Sequence, residues 1–563
     1  METFEKTLPL ITKNVKMGSV DIRHAYYSIK LADEQQKFFR FQWRDKIYQY
    51  TCLPNGVSEG PRLFTKLLKP VFGKLRSLGY VSSGYIDDSL IIGCDDLECT
   101  ENLNATVTLL SKLGFIINED KSVLRPTSKL KFLGNVIDSD KMIVTLPLDR
   151  QEKIISACEE LYNVSKAPIR QVARVIGLLV ASFSAVDYGK LYYRKLERAK
   201  IKALQESKGN YDAPMIISNS MRSDLIWWIV NLKSQHRVIA RPNPSETLHT
   251  DASTLGWGAS YKNNNIGGRW TDVEGKLPIN VLELMAILNA LKSLKRDLKS
   301  KHIKVMSDNT TAVSYINNMG GTVSENCNKV ACDIWIWCIS HDVWLTCTHI
   351  AGKNNEAADK ASREFKDDLE WKLDSKIFHK ICNFWGIPDI DCFASRINAQ
   401  VETYCSWKPD PNCSFVDAFT IDWETFNSVY LFPPFSLLGN CVQKVRQDRA
   451  KGIIVAPMWP TQAWFPRLME LLVEKPVIIQ KKKNLLRLPH LQLKHPLEGK
   501  LRLIACKVSG IVSENEDFQR TLPKYLCCLG KQGHKNNITH TLTGGFSTVV
   551  KGRLLHFRQL WKQ

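Results

Sequence analysis

The 563-residue chain carries 77 Lys and Arg against 57 Asp and Glu, for a formal net charge of +20 and a pI near 9.2. That length divides into about three or four domains, and the cationic excess suits a phosphate-rich partner held by counterion release. No apolar run approaches a membrane span, Met1 to Lys16 lack a signal peptide's apolar centre, and in sixteen Cys without a repeated CxxC neither a disulfide framework nor a zinc ribbon is evident.

An intracellular protein with reduced thiols and no membrane partner is expected. Cys527-Cys528 followed by His534 has the wrong spacing for a zinc knuckle.

In chain order, Ser19-Val20-Asp21-Ile22 puts an acid at the end of a short apolar strand. Phe38 to Trp43 and Ile47 to Tyr50 predict a strand pair around a polar turn, and Leu53 to Pro61 a loop opening a helix over 62–78. Gly84-Tyr85-Ile86-Asp87-Asp88-Ser89-Leu90-Ile91 then carries two adjacent carboxylates between apolar runs, the pattern of a hairpin whose tip holds charge beside buried strands. Two neighbouring Asp repel, so keeping both ionised needs a counter-charge, and a divalent metal supplies it. A solvated turn is the bland alternative for an isolated Asp-Asp pair.

The Tyr-Ile-Asp-Asp box, Asp21 followed by Ala25-Tyr26, and Leu53-Pro54-Asn55-Gly56-Val57-Ser58-Glu59-Gly60-Pro61 together resemble the palm of a reverse transcriptase. The resemblance implies that Asp21, Asp87 and Asp88 are catalytic metal ligands, Asp21 and Asp87 most directly. It makes Tyr26 the gate under the sugar of the incoming nucleotide, where a ring leaves no room for a 2′-hydroxyl. Asn55 stands where the family usually has Gln and, with Gly56, faces the incoming nucleotide. Lys121, after Gly114-Phe115-Ile116-Ile117, either approaches the leaving pyrophosphate or is a surface lysine. Residues 130–136 resemble the hairpin that grips the primer terminus. The stretch this family normally has before Asp21, with basic side chains for the triphosphate, is missing, so a truncated chain is expected.

Residues 149–242 alternate apolar and basic positions, as in Val172-Ala173-Arg174-Val175 and Leu191-Tyr192-Tyr193-Arg194. They predict helices serving as a thumb or tether against a duplex, or a helical linker with solvated charges.

Beyond Pro242 and Pro244, four acids lie on a strand (Asp251), a helix (Glu283), a strand end (Asp308) and a helix start (Asp359). An acid buried in the apolar run Val281 to Ala286 is costly unless it binds metal or faces a cleft. The order resembles a ribonuclease H domain, which implies that Asp251, Glu283, Asp308 and Asp359 are catalytic ligands of two Mg²⁺ ions acting on an RNA–DNA hybrid. His349 is a candidate for proton transfer or product release, or packs structurally under its loop; Lys353 falls about where the family has a His.

Asp308-Asn309-Thr310-Thr311, Gly320-Gly321-Thr322 and His349 to Asn355 narrow the resemblance to DIRS-type, tyrosine-recombinase retrotransposons of the Ty3-like group. Asp389 to Arg396 and Leu431-Phe432-Pro433-Pro434-Phe435-Ser436 resemble the cofactor strand and the Pro-Pro-aromatic loop of a Dam-type adenine methyltransferase. Phe432 stands where such an enzyme needs an Asp or Asn acceptor, and no Gly-rich turn cradles S-adenosylmethionine, so an inactive domain without that cofactor is expected. The aromatics between Val455 and Phe465 stack bases or fill the domain's own core. Lys481-Lys482-Lys483 and the tail toward Arg553 touch phosphate or are solvated.

The expected fold is multidomain α/β and α+β. It comprises a palm of antiparallel sheet and helices over 1–148, a helical thumb or connection over 149–242 and a ribonuclease H-like mixed α/β sheet over 243–366. A C-terminal α/β methyltransferase-like domain over 367–510 and a basic tail over 511–563 follow. The implied activities are RNA-directed DNA polymerase and ribonuclease H, with RNA template, DNA primer, RNA–DNA hybrid and deoxynucleoside triphosphates as partners and Mg²⁺, or Mn²⁺, as cofactor. A degenerate retroelement copy that only binds nucleic acid is the alternative.

Overall fold

The computed structural model describes residues 2–365, 370–482, 484–489, 495–525 and 546–560. Lys483, Cys527, Cys528 and His534 lie outside the described residues. The fold is multidomain and mixed α/β, and the chain divides into two compact units. Residues 1–243 with 318–325 form the first, and residues 244–317 with 326–563 the second.

In the first unit, β1 (Lys16–Arg23) is the centre of the sheet because Met17, Val20 and Ile22 bury their side chains. β2 (Arg40–Trp43) and β3 (Lys46–Gln49) form the expected separate hairpin, turning through Arg44 and Asp45 at φ 46° and 62°. Two successive positive φ values match the right-handed strand twist. α1 (Gly60–Ser77) follows, with Pro61 in its first turn and Phe64, Leu68, Phe72 and Leu75 forming its buried stripe.

β4 (Val81–Tyr85) and β5 (Asp88–Gly93) pair antiparallel, and β5 pairs with β1. Gly84 is required by packing: a Cβ there would sit 2.5 Å from the Phe72 ring. α2 (Asp96–Lys112) starts on an N-cap, Asp95, whose carboxylate accepts from the Glu98 amide at 2.8 Å. β6 (Ile116–Ile117) and β7 (Val123–Thr127) complete the sheet against β1.

The hairpin β8 (Lys129–Phe132) and β9 (Asn135–Asp138) turns at Leu133 and Gly134, and β9 also pairs with β10 (Ile143–Thr145). Four helices come next: α3 (Leu148–Tyr162), α4 (Ile169–Val180), α5 (Arg194–Glu206) and α6 (Asn219–Asn231). Their shared core contains Ile154, Val172, Ile176, Leu225 and Trp228.

The second unit begins with a five-stranded sheet. β11 (Glu246–Ala252), β12 (Gly256–Tyr261) and β13 (Asn264–Arg269) are antiparallel neighbours, while β14 (His302–Ser307) and β15 (Trp344–His349) continue in parallel on the other side of β11. The helices are α7 (Ile279–Ser293), α8 (Thr310–Asn317), α9 (Glu325–Ser340) and α10 (Glu356–Arg363).

α10 lies directly on the sheet backbone. A Cβ on Gly258 would meet the Ala358 carbonyl at 2.2 Å and the Ser362 amide at 2.4 Å, and one on Gly267 the Ala361 carbonyl at 2.5 Å. Only glycine permits this approach.

α11 (Ser375–Trp385) leads to a six-stranded sheet. Its first three strands, β16 (Ile390–Asp391), β17 (Val429–Leu431) and β18 (Lys451–Pro457), are parallel. β20 (Leu503–Ser509) lies antiparallel between β18 and β19 (Val477–Ile479), and β21 (Arg558–Gln559) pairs parallel with β19. Arg396 joins this sheet to the preceding one, bonding Glu274 Oε1 at 2.7 Å and the Arg269 carbonyl at 2.8 Å.

Most of the described cysteines are buried. Phe465 is buried and Trp464 and Trp459 pack against the cores, so these aromatics fill the domain's interior. His349, read as packing structurally under its loop, instead ends β15 exposed, because residues 348 and 349 run past the last covered position of the strand. No helix among the described residues is long and apolar enough to cross a membrane.

Replacing Gly258 by Ala is expected to cost about 1–3 kcal/mol by forcing α10 off the sheet. A lower urea midpoint checks this; an unchanged midpoint contradicts the close approach.

Candidate active sites: two carboxylate centres

The first centre follows from strand register. Asp21 on β1 and Asp88 on β5 are direct cross-strand partners, so their side chains share one face, and the Ile22 amide donates to the Asp87 carbonyl at 3.1 Å. Tyr85 pairs with Asp88, leaving Ile86 and Asp87 as a two-residue turn with Ile86 at φ 56°. A β-branched residue in that region is strained, and the surrounding strand pairing holds it there.

Burial pushes the Asp88 carboxyl up to about 6, helped by the charges of Asp87 and Asp21 and by a hydrogen bond with Asp21, while Lys121 opposes the rise. Lys121 is therefore within electrostatic reach of the carboxylates although its side chain is exposed. The backbone of Asp21 is fixed from the same segment: its amide donates to Ser122 Oγ at 3.0 Å and its carbonyl accepts from the Asn118 amide at 2.9 Å.

Tyr26 meets Phe64 edge to face at 5.8 Å, and its hydroxyl is raised by burial and by the Asp87 charge. Asn55 and Gly56 are exposed on the loop before α1, Gly56 at φ 96°. The Asp87 charge acts on both Asp88 and Tyr26, and the charges of Asp21 and Lys121 act on Asp88.

The second centre is tighter. Asp251 on β11, Glu283 on α7 and Asp308 after β14 each offer an oxygen within 4.8 Å of the others. Burial, followed by the charges of Asp251 and Asp308, lifts Glu283 to about 8, and its Oε2 is buried without a hydrogen-bond partner. Asp251 is also raised, chiefly by burial. Asn309 ties two carriers of these acids together, donating to Asn280 Oδ1 at 2.8 Å while its own Oδ1 caps the Ala312 amide at 2.9 Å. Converging acids with an orphaned buried oxygen fit a divalent cation, which would supply the missing ligand interaction and remove the repulsion.

Asp359 is not in that cluster. Arg363, one turn along α10, bonds Asp359 Oδ1 through Nε at 2.9 Å and through its terminal nitrogen at 2.7 Å. Its charge still raises Asp251, so it stands close by. Ser362 was not singled out from sequence, yet its Oγ lies 2.7 Å from Asp251 Oδ2 and 2.8 Å from the Asp359 carbonyl. Asn355 likewise anchors the start of α10 by donating to the Thr250 carbonyl at 2.9 Å. The spacing from Asp359 to Ser362 and Arg363 was the available signal. Pro433, Pro434 and Phe435 follow β17 at some remove from both centres in sequence, and Phe435 packs edge to face on Trp459 at 5.4 Å.

Residues 3–137 match the family described as reverse transcriptase (RNA-dependent DNA polymerase). The "Enzymatic polyprotein" of Cauliflower mosaic virus (strain D/H) is 23% identical over 378 residues, covering 64% of this chain and 52% of the relative. That of Figwort mosaic virus (strain DxS) is 22% identical over 386 residues, covering 65% and 53%. The "Gag-Pol polyprotein" of Koala retrovirus is 28% identical over 134 residues, 22% of this chain and 8% of its own length. The chain thus spans about half the length of the plant viral polyproteins it matches.

Among solved structures, a foamy viral protease-reverse transcriptase in complex with RNA/DNA hybrid is similar at a TM-score of 0.36 and 17% identity, over 61% of this chain and 45% of that one. Residues 3–137 carry a reverse transcriptase domain with retroviral and pararetroviral polyprotein relatives.

Glu283 gives a signed pH dependence. Its folded value near 8 lies above its ordinary 4.5, so its contribution to metal-free stability is complete below about 4.5 and is lost as pH rises through 8. Mg²⁺ is therefore expected to raise the melting temperature more at pH 8 than at pH 5, with Glu283→Gln flattening the difference. Equal stabilisation at both pH values contradicts this.

Proposed function

We propose that this chain is an RNA-directed DNA polymerase with a tethered ribonuclease H, working in the replication of a DIRS-type retrotransposon. The observation that carries the reading is the Asp21–Asp88 pair, with Asp87 at the turn between β4 and β5, inside the segment that matches the reverse transcriptase family. The second centre, on a five-stranded sheet of order β13-β12-β11-β14-β15, supports the nuclease half. Its partners would be an RNA template, a DNA primer, deoxynucleoside triphosphates and the RNA–DNA hybrid that synthesis leaves.

At the polymerase centre, Asp21, Asp87 and Asp88 would hold Mg²⁺ or Mn²⁺; at the nuclease centre Asp251, Glu283 and Asp308 would do so. The bound ions supply charge neutralisation and nucleophile activation for in-line phosphoryl transfer. The protein's own part is positioning. Strand register sets Asp21 against Asp88 before substrate arrives, and Lys121 places a cation beside them toward the leaving pyrophosphate. The Tyr26 ring, braced by Phe64, forms a wall under the nucleotide sugar. Asn55 and Gly56 present an exposed amide and a glycine backbone to the incoming nucleotide.

In the nuclease, Ser362 orients Asp251, and Asp359 joins the other acids once its bond to Arg363 opens. His349, exposed at the end of β15, would serve proton transfer or product release. Residues 367–510 would be a methyltransferase-related domain without catalysis, since Phe432 precedes the two prolines where an acceptor is needed and the sequence offers no glycine-rich turn for the cofactor.

The test is one labelled RNA–DNA primer-template with Mg²⁺. Asp87→Asn is expected to lower primer extension at least about a hundredfold, near 3 kcal/mol of barrier, while RNA cleavage continues; Asp308→Asn does the reverse. Loss of both activities in either variant contradicts two separate centres. Tyr26→Ala is expected to admit ribonucleotides that the parent rejects; equal ribonucleotide use by both removes the gate.

A further inference from the structure

The charges of Asp251 and Asp308 oppose an ionised Glu283, so α7, the helix that carries it, needs anchors outside the acid cluster. One anchor precedes the helix. The Thr271 amide donates to Glu274 Oε2 at 2.9 Å and the Glu274 amide to Thr271 Oγ1 at 3.2 Å, a two-way cap of the Thr-x-x-Glu type. Trp270, just before this turn, is 4% exposed and donates from Nε1 to the Ser253 carbonyl at 2.9 Å, beside the end of the strand that carries Asp251. On the other side the Leu277 amide donates to the Glu274 carbonyl at 2.9 Å and the Val281 amide to the Pro278 carbonyl at 2.8 Å, which leads the turn directly into α7.

The turn is closed from the other sheet of the same unit. Arg396, in the loop after β16, donates from one terminal nitrogen to both Glu274 oxygens, at 2.7 and 2.9 Å, and from the other to the Arg269 carbonyl at 2.8 Å. The two side chains are only 15% and 20% exposed, which sets the pair apart from ordinary surface ion pairs. Burial raises the Glu274 carboxyl, and the bonds from Arg396 and Thr271 outweigh it, holding the group below the usual carboxylate range.

Arg396 is itself braced. Its amide donates to Asp410 Oδ2 at 2.6 Å, and the Tyr404 hydroxyl donates to the same buried oxygen at 2.8 Å. A second contact lies past the other end of α7, on the short helix Lys295–Leu298. There Lys295 Nζ donates to the Cys413 carbonyl at 3.2 Å and Arg296 to the Ser414 carbonyl at 3.5 Å. The segment between β16 and β17 thus reaches the chain on both sides of α7.

We propose that Arg396 is a positioning residue for the nuclease centre: through Glu274 it fixes the start of α7 and so the place of Glu283 against Asp251 and Asp308. The inference rests on the reading of that centre as a metal-dependent nuclease, and it gives the C-terminal domain, without catalysis of its own in that reading, a part in the nuclease. Without Arg396 the Glu274 carboxylate loses its counter-charge, and the repulsion at Glu283 acts on a helix held only by its own turn. Metal capture weakens first. A saturating cation turns the repulsion into attraction and draws the acids back together.

The test compares the full-length parent with Arg396→Gln, Glu274→Gln and the double variant. RNA cleavage on the labelled hybrid is measured against Mg²⁺ concentration, and backbone hydrogen exchange is followed in EDTA. Each single substitution is expected to raise the Mg²⁺ needed for half-maximal cleavage about tenfold, with the rate at saturating Mg²⁺ retained. The double variant should be no worse than either single one, because both remove the same interaction. Exchange should quicken in peptides spanning residues 270–285 and stay at the parent's rate over β18 and β20. Unchanged exchange over 270–285 in Arg396→Gln, additive effects in the double variant, or a lower saturated rate at an unchanged Mg²⁺ requirement overturns the proposal. Equal loss of protection over β18 and β20 in both single variants, the mark of general unfolding, also overturns it. A parent that cleaves no RNA contradicts the nuclease reading instead, and the exchange comparison then decides by itself whether Arg396 holds α7.

Discussion

Repulsion between converging carboxylates is the constraint on which this molecule is organised. Asp21 and Asp88 face each other because β1 and β5 pair in one register, and shifting that register by a single residue would turn one of them to the opposite face. Asp251, Glu283 and Asp308 converge from two strands and a helix, and the buried Glu283 carries the largest burden, with its proton retained to about 8. Neither arrangement lowers the energy of the metal-free fold. Each is held by packing elsewhere, as expected where a site stores charge for a cation.

The supporting packing is specific. On the first sheet, Gly84 lets Phe72 of α1 lie against the strand that delivers the turn. On the second, Gly258 and Gly267 let α10 sit on the sheet backbone, so that Ser362 reaches Asp251 and Arg363 holds Asp359. The glycines and the acids thus form one device: removing a Cβ in one place fixes an oxygen in another.

Much of this was legible in the sequence because it is local. The Tyr-Ile-Asp-Asp turn, the β2–β3 hairpin and the α1 stripe each follow from patterns a few residues long. The start of α1 lies earlier than the expected 62 because Pro61 is accommodated in the first turn, ahead of the apolar stripe. What was not legible depends on tertiary approach. The Asp359–Arg363 pair, the Ser362 contact and the exposure of His349 are set by how α10 and β15 end against the sheet. The grip of Arg396 on Glu274 was hidden for the same reason: the two residues meet only where the two sheets of the second unit pack.

The measurement that bears most directly on the account is Mn²⁺ binding to the full chain, followed by electron paramagnetic resonance, in the parent and in the Asp87→Asn and Asp308→Asn variants. Two independent classes of bound ion are predicted, with each substitution abolishing one and sparing the other. Parent protein that binds no Mn²⁺, or variants that bind it as the parent does, would contradict the claim that these carboxylates are gathered to hold metal.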